Sequence, residues 1–380
     1  MTTSDEERRP RKDLRALAPY LTREREKSLS EDRRLNSKWD DQCFASRWLD
    51  QAILNNRIPP QREIADSNWK DSCPEPHLIP CDEYDSYEDA VDAVLAQFRE
   101  DALRGDVNAQ RFFAFIHKIG FYVEESLEET VWWYRRAAEL GDVDSMVDLG
   151  NYCASGFDGE RDFREAAAWY RKAADSGNRE ALCRLALLYA DGADFDISPQ
   201  EALSYLRRSA EEQFAPAEYF LGLCYLEGIG VELDEAEAVR WFGKAADQQD
   251  PEAQLRLGIC YGGGIGVKRD PSESVKWLET AAGNGCVEAK YHLGLRYLTG
   301  DGVQKNKRRA FSLFLSAAEA GNDKAQYFLG ACYRSGIGTE KDEFRAAQWF
   351  WKAYGQGNRE AEDALHDLLS LSPPPEPDDF

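Results

Sequence analysis

Apolar residues recur along this chain at helical spacing, in blocks separated by glycine-rich turns, and the blocks return every 36 positions. In one block Ala217, Leu221 and Tyr225 stand at i, i+4 and i+8, which is one face of a helix. Gly228-Ile229-Gly230 then interrupts the pattern, because glycine supplies the positive φ that a helix end favours. A second apolar run follows with Ala238, Trp241, Ala245 and Ala246. The same register carries Leu149-Gly150, Leu185-Ala186, Leu221-Gly222, Leu257-Gly258, Leu293-Gly294 and Leu329-Gly330. It also places a large apolar residue, such as Trp133, Trp169, Trp241, Trp277 or Trp349, four positions before a small pair such as Ala245-Ala246. Seven units of two helices each are predicted, from about Ala109 to Asn358. The tryptophans, at fixed register, are assigned to packing between helices.

Helix starts are signalled independently. The residues before the second helices are Ser126, Asp162, Ser198, Asp234, Asp270, Asn306 and Asp342, all short side chains able to accept from free first-turn amides. Pro199 and Pro271 follow two of them, where a missing N–H costs nothing. Ser126 with Glu129, and Ser198 with Glu201, have capping-box spacing. Asp142, Asn178, Asp250, Asn322 and Asn358 cap first helices, with Phe214 and Cys286 as exceptions.

Around the array, Tyr87 to Arg104 reads as a capping helix (86–105) with Ala90, Val91, Val94 and Phe98 inward. Ala361, Leu365, Leu368 and Leu369 make a closing helix (359–371), and residues 372–380 read as a disordered tail. The repeat region therefore spans 86–371, with its repeats at about 107–358. Residues 1–85 form an N-terminal segment, partly helical or disordered, in which Leu14 to Leu35 has the character of a charged helix and several prolines mark a linker.

The units AEYFLGLCYLEGIGVELDEAEAVRWFGKAA (217–246) and AQLRLGICYGGGIGVKRDPSESVKWLETAA (253–282) resemble the Sel1-like repeat, a relative of the tetratricopeptide repeat. The resemblance covers about two-thirds of the chain. It implies an all-α fold, a right-handed α/α solenoid of helix-turn-helix repeats, in which the first helices line a concave groove. The early units depart from the motif: Phe113 replaces the leucine, Cys153 the tyrosine, and Ala193-Asp194 the glycine loop.

Composition narrows the function. A net charge of −23 repels a phosphate backbone, so nucleic acid is not an expected partner. No apolar run approaches membrane-spanning length, so no membrane insertion is expected. The charged start carries no apolar signal segment, and the nine cysteines read as free thiols, so the expected location is cytoplasmic. Cys224, Cys260 and Cys332 share one register position and read as small buried fillers. His77, His117, His292 and His366 lie in no hydrolase, metalloprotease or phosphate-loop motif, and the chain is expected not to be an enzyme. Cys73, His77 and Cys81, with Cys43 as a fourth, have the residue types for zinc, but the prolines between them and the lack of a paired knuckle favour a plain linker. No metal and no cofactor is assigned.

Binding residues are sought where the first helix varies between units. On a helical wheel the recurrent positions occupy one arc, and the positions matching 220 and 224 lie away from it. They supply Phe112, Tyr152, Arg184, Phe220, Arg256, His292, Arg296 and Phe328, a mix of aromatic and arginine side chains typical of interface hot spots. The expected function is a scaffold or adaptor that holds a peptide or folded protein in the groove. The alternative is an immunity protein neutralising a basic bacterial toxin, for which complementary charge would speed encounter.

Overall fold

The computed structural model describes residues 13–17, 87–120, 123–156, 161–192 and 197–371. Among them are a single 3-10 turn, Leu14–Leu17, and sixteen α-helices. The first helix, α1, is Tyr87–Arg104. The repeats then contribute α2 (Val107–Ile119), α3 (Leu127–Glu139), α4 (Val143–Ser155), α5 (Phe163–Asp175), α6 (Arg179–Ala190) and α7 (Pro199–Glu211). They continue with α8 (Ala215–Glu227), α9 (Glu235–Asp247), α10 (Pro251–Gly263), α11 (Pro271–Gly283) and α12 (Val287–Thr299). The last are α13 (Lys307–Glu319), α14 (Asp323–Ser335), α15 (Glu343–Gly355) and α16 (Arg359–Leu371). This is an all-α solenoid of helix-turn-helix units. It divides into two compact units, Leu14–Tyr205 and the chain from Leu206 onward.

The predicted caps form. Ser126, Asp162, Asp234, Asp270, Asn306 and Asp342 each accept from a first-turn amide of the second helix they precede. Ser198 and Glu201 make the reciprocal box: the Ser198 hydroxyl accepts from Glu201 N–H at 3.2 Å and the Glu201 carboxylate from Ser198 N–H at 3.4 Å. Phe214 and Cys286 give no side-chain cap.

Packing within a repeat is set by the glycine of the Leu-Gly pair. A Cβ on Gly222 would fall 2.6 Å from the ring of Phe242, on Gly294 2.6 Å from Phe314, and on Gly330 2.7 Å from Phe350. The missing methyl group lets the second helix press its ring against the first helix backbone. The side chain wedged there follows the recurrent tryptophan by one residue. Phe242, Phe314 and Phe350 are at most 1% exposed, whereas Trp277 and Trp349 are only half-buried. Trp133 is itself fully buried, stacked on Phe113, while three later tryptophans lie under a lysine one turn on: Lys172 over Trp169, Lys244 over Trp241, Lys352 over Trp349 at 3.5–4.0 Å. They are packing residues, but the central contact is their neighbour's.

Successive repeats meet where the second helix of one packs on the first helix of the next, and the loops add to that contact. The second loop glycine has positive φ and lies on a carbonyl of the preceding repeat: a Cβ on Gly302 would meet Pro271 O at 2.0 Å, and on Gly338 Lys307 O at 2.3 Å. Buried amides add polar ties. Gln254 donates to Ala246 O at 3.3 Å and accepts from Asn284 at 2.9 Å, and Gln326 repeats this with Ala318 O and Gln356.

Candidate functional site

In the first unit, α2 brings Phe112 beneath α1, its ring 6.0 Å from Phe98 and 5.7 Å from Phe113. Phe112 is 3% exposed and offers no docking surface, because the capping helix covers it. Tyr152 on α4 is half-buried, 6.0 Å from Tyr134. Arg184 on α6 is exposed and pairs with Glu180 one turn earlier at 3.1 Å.

In the second unit, Phe220 is fully buried, and so is every residue of α8 from Ala217 to Cys224. The expectation of an exposed Phe220 is corrected: a helix apolar all round is buried all round. Arg256 is half-buried on α10. His292 and Arg296, one turn apart on α12, line an open depression of about 400 Å³ with Leu295, Thr299 and Asp301. Asp301 accepts from Arg296 and, at 2.8 and 2.9 Å, from Arg269, which also donates to Gly262 O at 3.0 Å. Arg296 lies against α10 where Gly262 has no side chain; a Cβ there would sit 1.9 Å from its guanidinium. Phe328 stacks on Phe314 at 5.4 Å and remains partly exposed. His292, Arg296 and Phe328 thus keep accessible surface within one unit, while Phe112 and Phe220 do not.

The turn Leu14–Leu17 packs on α6. Leu14 is 1% exposed and Leu17 0%, while Asp13 and Arg15 point outward. The Arg15 guanidinium lies 5.2 Å from the centre of the Tyr189 ring. On α6 Leu187 and Ala190 are both buried, whereas their counterparts Asn151 and Ala154 on α4, and Leu295 and Leu298 on α12, are half-buried. Burying two leucines contributes about 3–6 kcal/mol. Fixing four backbone residues costs about 4–8 kcal/mol, so the turn is held near balance. Sequence reading took this stretch as the start of a charged helix and missed the contact. Its only local signal is two leucines three residues apart in a charged segment.

Six cysteines among the described residues are buried. Burial pushes the thiols of Cys153 and Cys224 up to about 12, and those of Cys260 and Cys332 up to about 11. Cys224, Cys260 and Cys332 are buried fillers at one register position, while Cys153 stands at the tyrosine position. Glu165 is held below the usual carboxylate range by a hydrogen bond from Arg135, with a further one from the Trp169 indole at 3.1 Å. No cluster of three or more His, Cys, Asp or Glu suited to a metal occurs among the described residues; Cys43, Cys73, His77 and Cys81 lie outside them. No described helix is long and apolar enough to cross a membrane.

Paired helices in seven register-locked units, with variable side chains on the first-helix face, define a helical repeat scaffold of the kind that carries protein–protein contacts. The family model described as Sel1 repeat matches residues 107–142, 143–178, 179–214, 215–250, 251–286, 287–322 and 323–358. The chain belongs to the Sel1 repeat family. Among solved structures it is similar to a Sel1 repeat protein from Oxalobacter formigenes, 32% identical over 74% of this chain and 81% of the other, with a TM-score of 0.60. It is also similar to a protective antigen of uropathogenic Escherichia coli displaying an SLR fold, 30% identical over 73% of this chain, with a TM-score of 0.63. This match spans 60% of the antigen's length. An immunity protein from Pseudomonas aeruginosa aligns more loosely, at 22% identity and a TM-score of 0.40 over 62% of this chain and 90% of the other. Comparison with curated proteins found no match.

Proposed function

We propose that this chain is a non-catalytic adaptor that holds a protein segment on the variable faces of its first helices. The observation that carries the reading is the turn Leu14–Leu17 on α6: a first-helix face already holds a short apolar segment by two buried leucines. Arg184 on the same helix, and His292, Arg296 and Phe328 on first helices of other repeats, add charged and aromatic surface, the composition of interface hot spots. The test is a photo-crosslinking amino acid placed in living cells at Arg184 or His292, and as controls at Arg240 and Lys276, whose side chains on second helices are 75% and 71% exposed. Discrete protein adducts from the first-helix sites alone are expected. Adducts from the controls only, or from no site, overturn the reading.

A second reading, immunity against a basic toxin, is supported by the net charge of −23. It predicts a partner held through acidic side chains, with capture falling steeply between low and physiological salt.

A further inference from the structure

Tyr189 belongs to a recurrent tyrosine register, and the cover over that ring differs between repeats. In the last two repeats an arginine from the following helix supplies it: Arg309 over Tyr297 at 4.7 Å and Arg345 over Tyr333 at 5.7 Å. Those tyrosines are each 7% exposed. Where the matching residue is Glu237 or Glu273, no arginine covers Tyr225 or Tyr261 among the described residues, and both rings are half-buried. Repeat three has Glu201 at that position, and Glu201 accepts instead from the Tyr205 hydroxyl at 3.2 Å. Yet Tyr189 is only 5% exposed, and the arginine above it is Arg15. A residue far away in sequence thus lies over this ring, where the last two repeats use an arginine of their own.

The anchors around Arg15 have the pattern of a bound ligand rather than of a structural element. Two leucines three positions apart are buried, the intervening Arg15 stacks on a ring, and Asp13 faces outward. The segment is one turn long and meets α6, while residues 18–86 separate it from the next described helix. We infer that the α6 face is a recognition groove for a leucine-x-x-leucine turn carrying an arginine, and that Leu14–Leu17 is its built-in occupant, displaced by a partner segment of the same chemistry. The inference rests on the adaptor reading and adds to it the kind of segment bound and the device that regulates binding. A basic amphipathic turn also suits a chain of net charge −23. An occupant tethered to its own site acts at a high effective concentration, so an external segment meets a reduced apparent affinity until the tethered one lets go.

The experiment uses the full chain and a fluorescent peptide of residues 10–20. Binding is followed by anisotropy to the unaltered protein and to the Leu14→Asp, Leu17→Asp double variant. The variant is expected to keep its helical circular dichroism and to bind the peptide at least tenfold more tightly than the unaltered chain. A peptide with Leu17→Ala should lose that binding. The milder Arg15→Glu protein, which retains both leucines, should show an intermediate gain. Equal affinity for both proteins, or no binding to the double variant, overturns the inference, and so does unfolding of the double variant, which would make the turn part of the core. If the peptide fails while crosslinking from Arg184 and His292 still captures a protein, the adaptor reading survives and the built-in occupant does not.

Discussion

The ring of Phe242 lies 2.6 Å from the place where a Cβ on Gly222 would stand, so the two residues are cut to fit each other across the helix pair. Either change at this contact is expected to be costly for its own reason. Phe242→Ala empties a fully buried site and should cost about 3–5 kcal/mol. Gly222→Ala overpacks the same site and should cost about 1–3 kcal/mol. Phe350→Ala should lower the thermal midpoint more than Trp349→Ala, because the tryptophan is half-buried and its neighbour is 1% exposed. The reverse order in a melting series would show that the tryptophan is the central contact.

Two glycines with positive φ separate strain from collision. Gly321 has φ +94° and open space around its missing Cβ, so Gly321→Ala meets only the left-handed penalty of about 1–2 kcal/mol. Gly302 has φ +80° and an added Cβ would lie 2.0 Å from the Pro271 carbonyl oxygen, so Gly302→Ala must also push two repeats apart. Its loss in a denaturant titration is expected to exceed that of Gly321→Ala. Equal losses would mean that the loop glycines serve φ alone.

Thiol chemistry gives a pH prediction. Burial raises Cys153 and Cys224 to about 12 and Cys260 and Cys332 to about 11, above the unfolded value of about 8.5. The folded state therefore holds protons that the unfolded chain releases. Their stabilising contribution is complete below about pH 8.5 and is lost as pH climbs toward 11–12. Thermal midpoints should fall through that window. A maleimide reagent at neutral pH should label these four cysteines slowly in the native protein and fully in denaturant. Fast native labelling would place them at the surface.

At the proposed binding face, burial separates stability effects from binding effects. Phe220 is fully buried, so Phe220→Ala is expected to cost about 3–5 kcal/mol of stability. Arg184 is exposed, so Arg184→Glu should stay within about 0.5 kcal/mol by melting while reducing capture of the crosslinked partner at least tenfold. A large stability loss at Arg184, or unchanged capture, would remove that residue from the site.

The chain alone determined the repeat, its helix pairs and their caps. Those features depend on neighbours within one or two turns: Asp234 caps because the amide of Glu237 is three residues away, and Gly228 ends a helix through its own φ. The sequence also put Cys224 in the core and left Arg184 outside on residue type alone, since the two positions have nearly the same helical phase. Tertiary structure decided the rest, because the contacts involved join distant positions. No helical wheel reveals that α1 covers Phe112. The match between Gly222 and Phe242, like the one between Gly302 and Pro271, needs two backbones brought within a missing methyl group of each other. The same is true of Arg15 over Tyr189, which depends on residues far apart in sequence meeting at one ring.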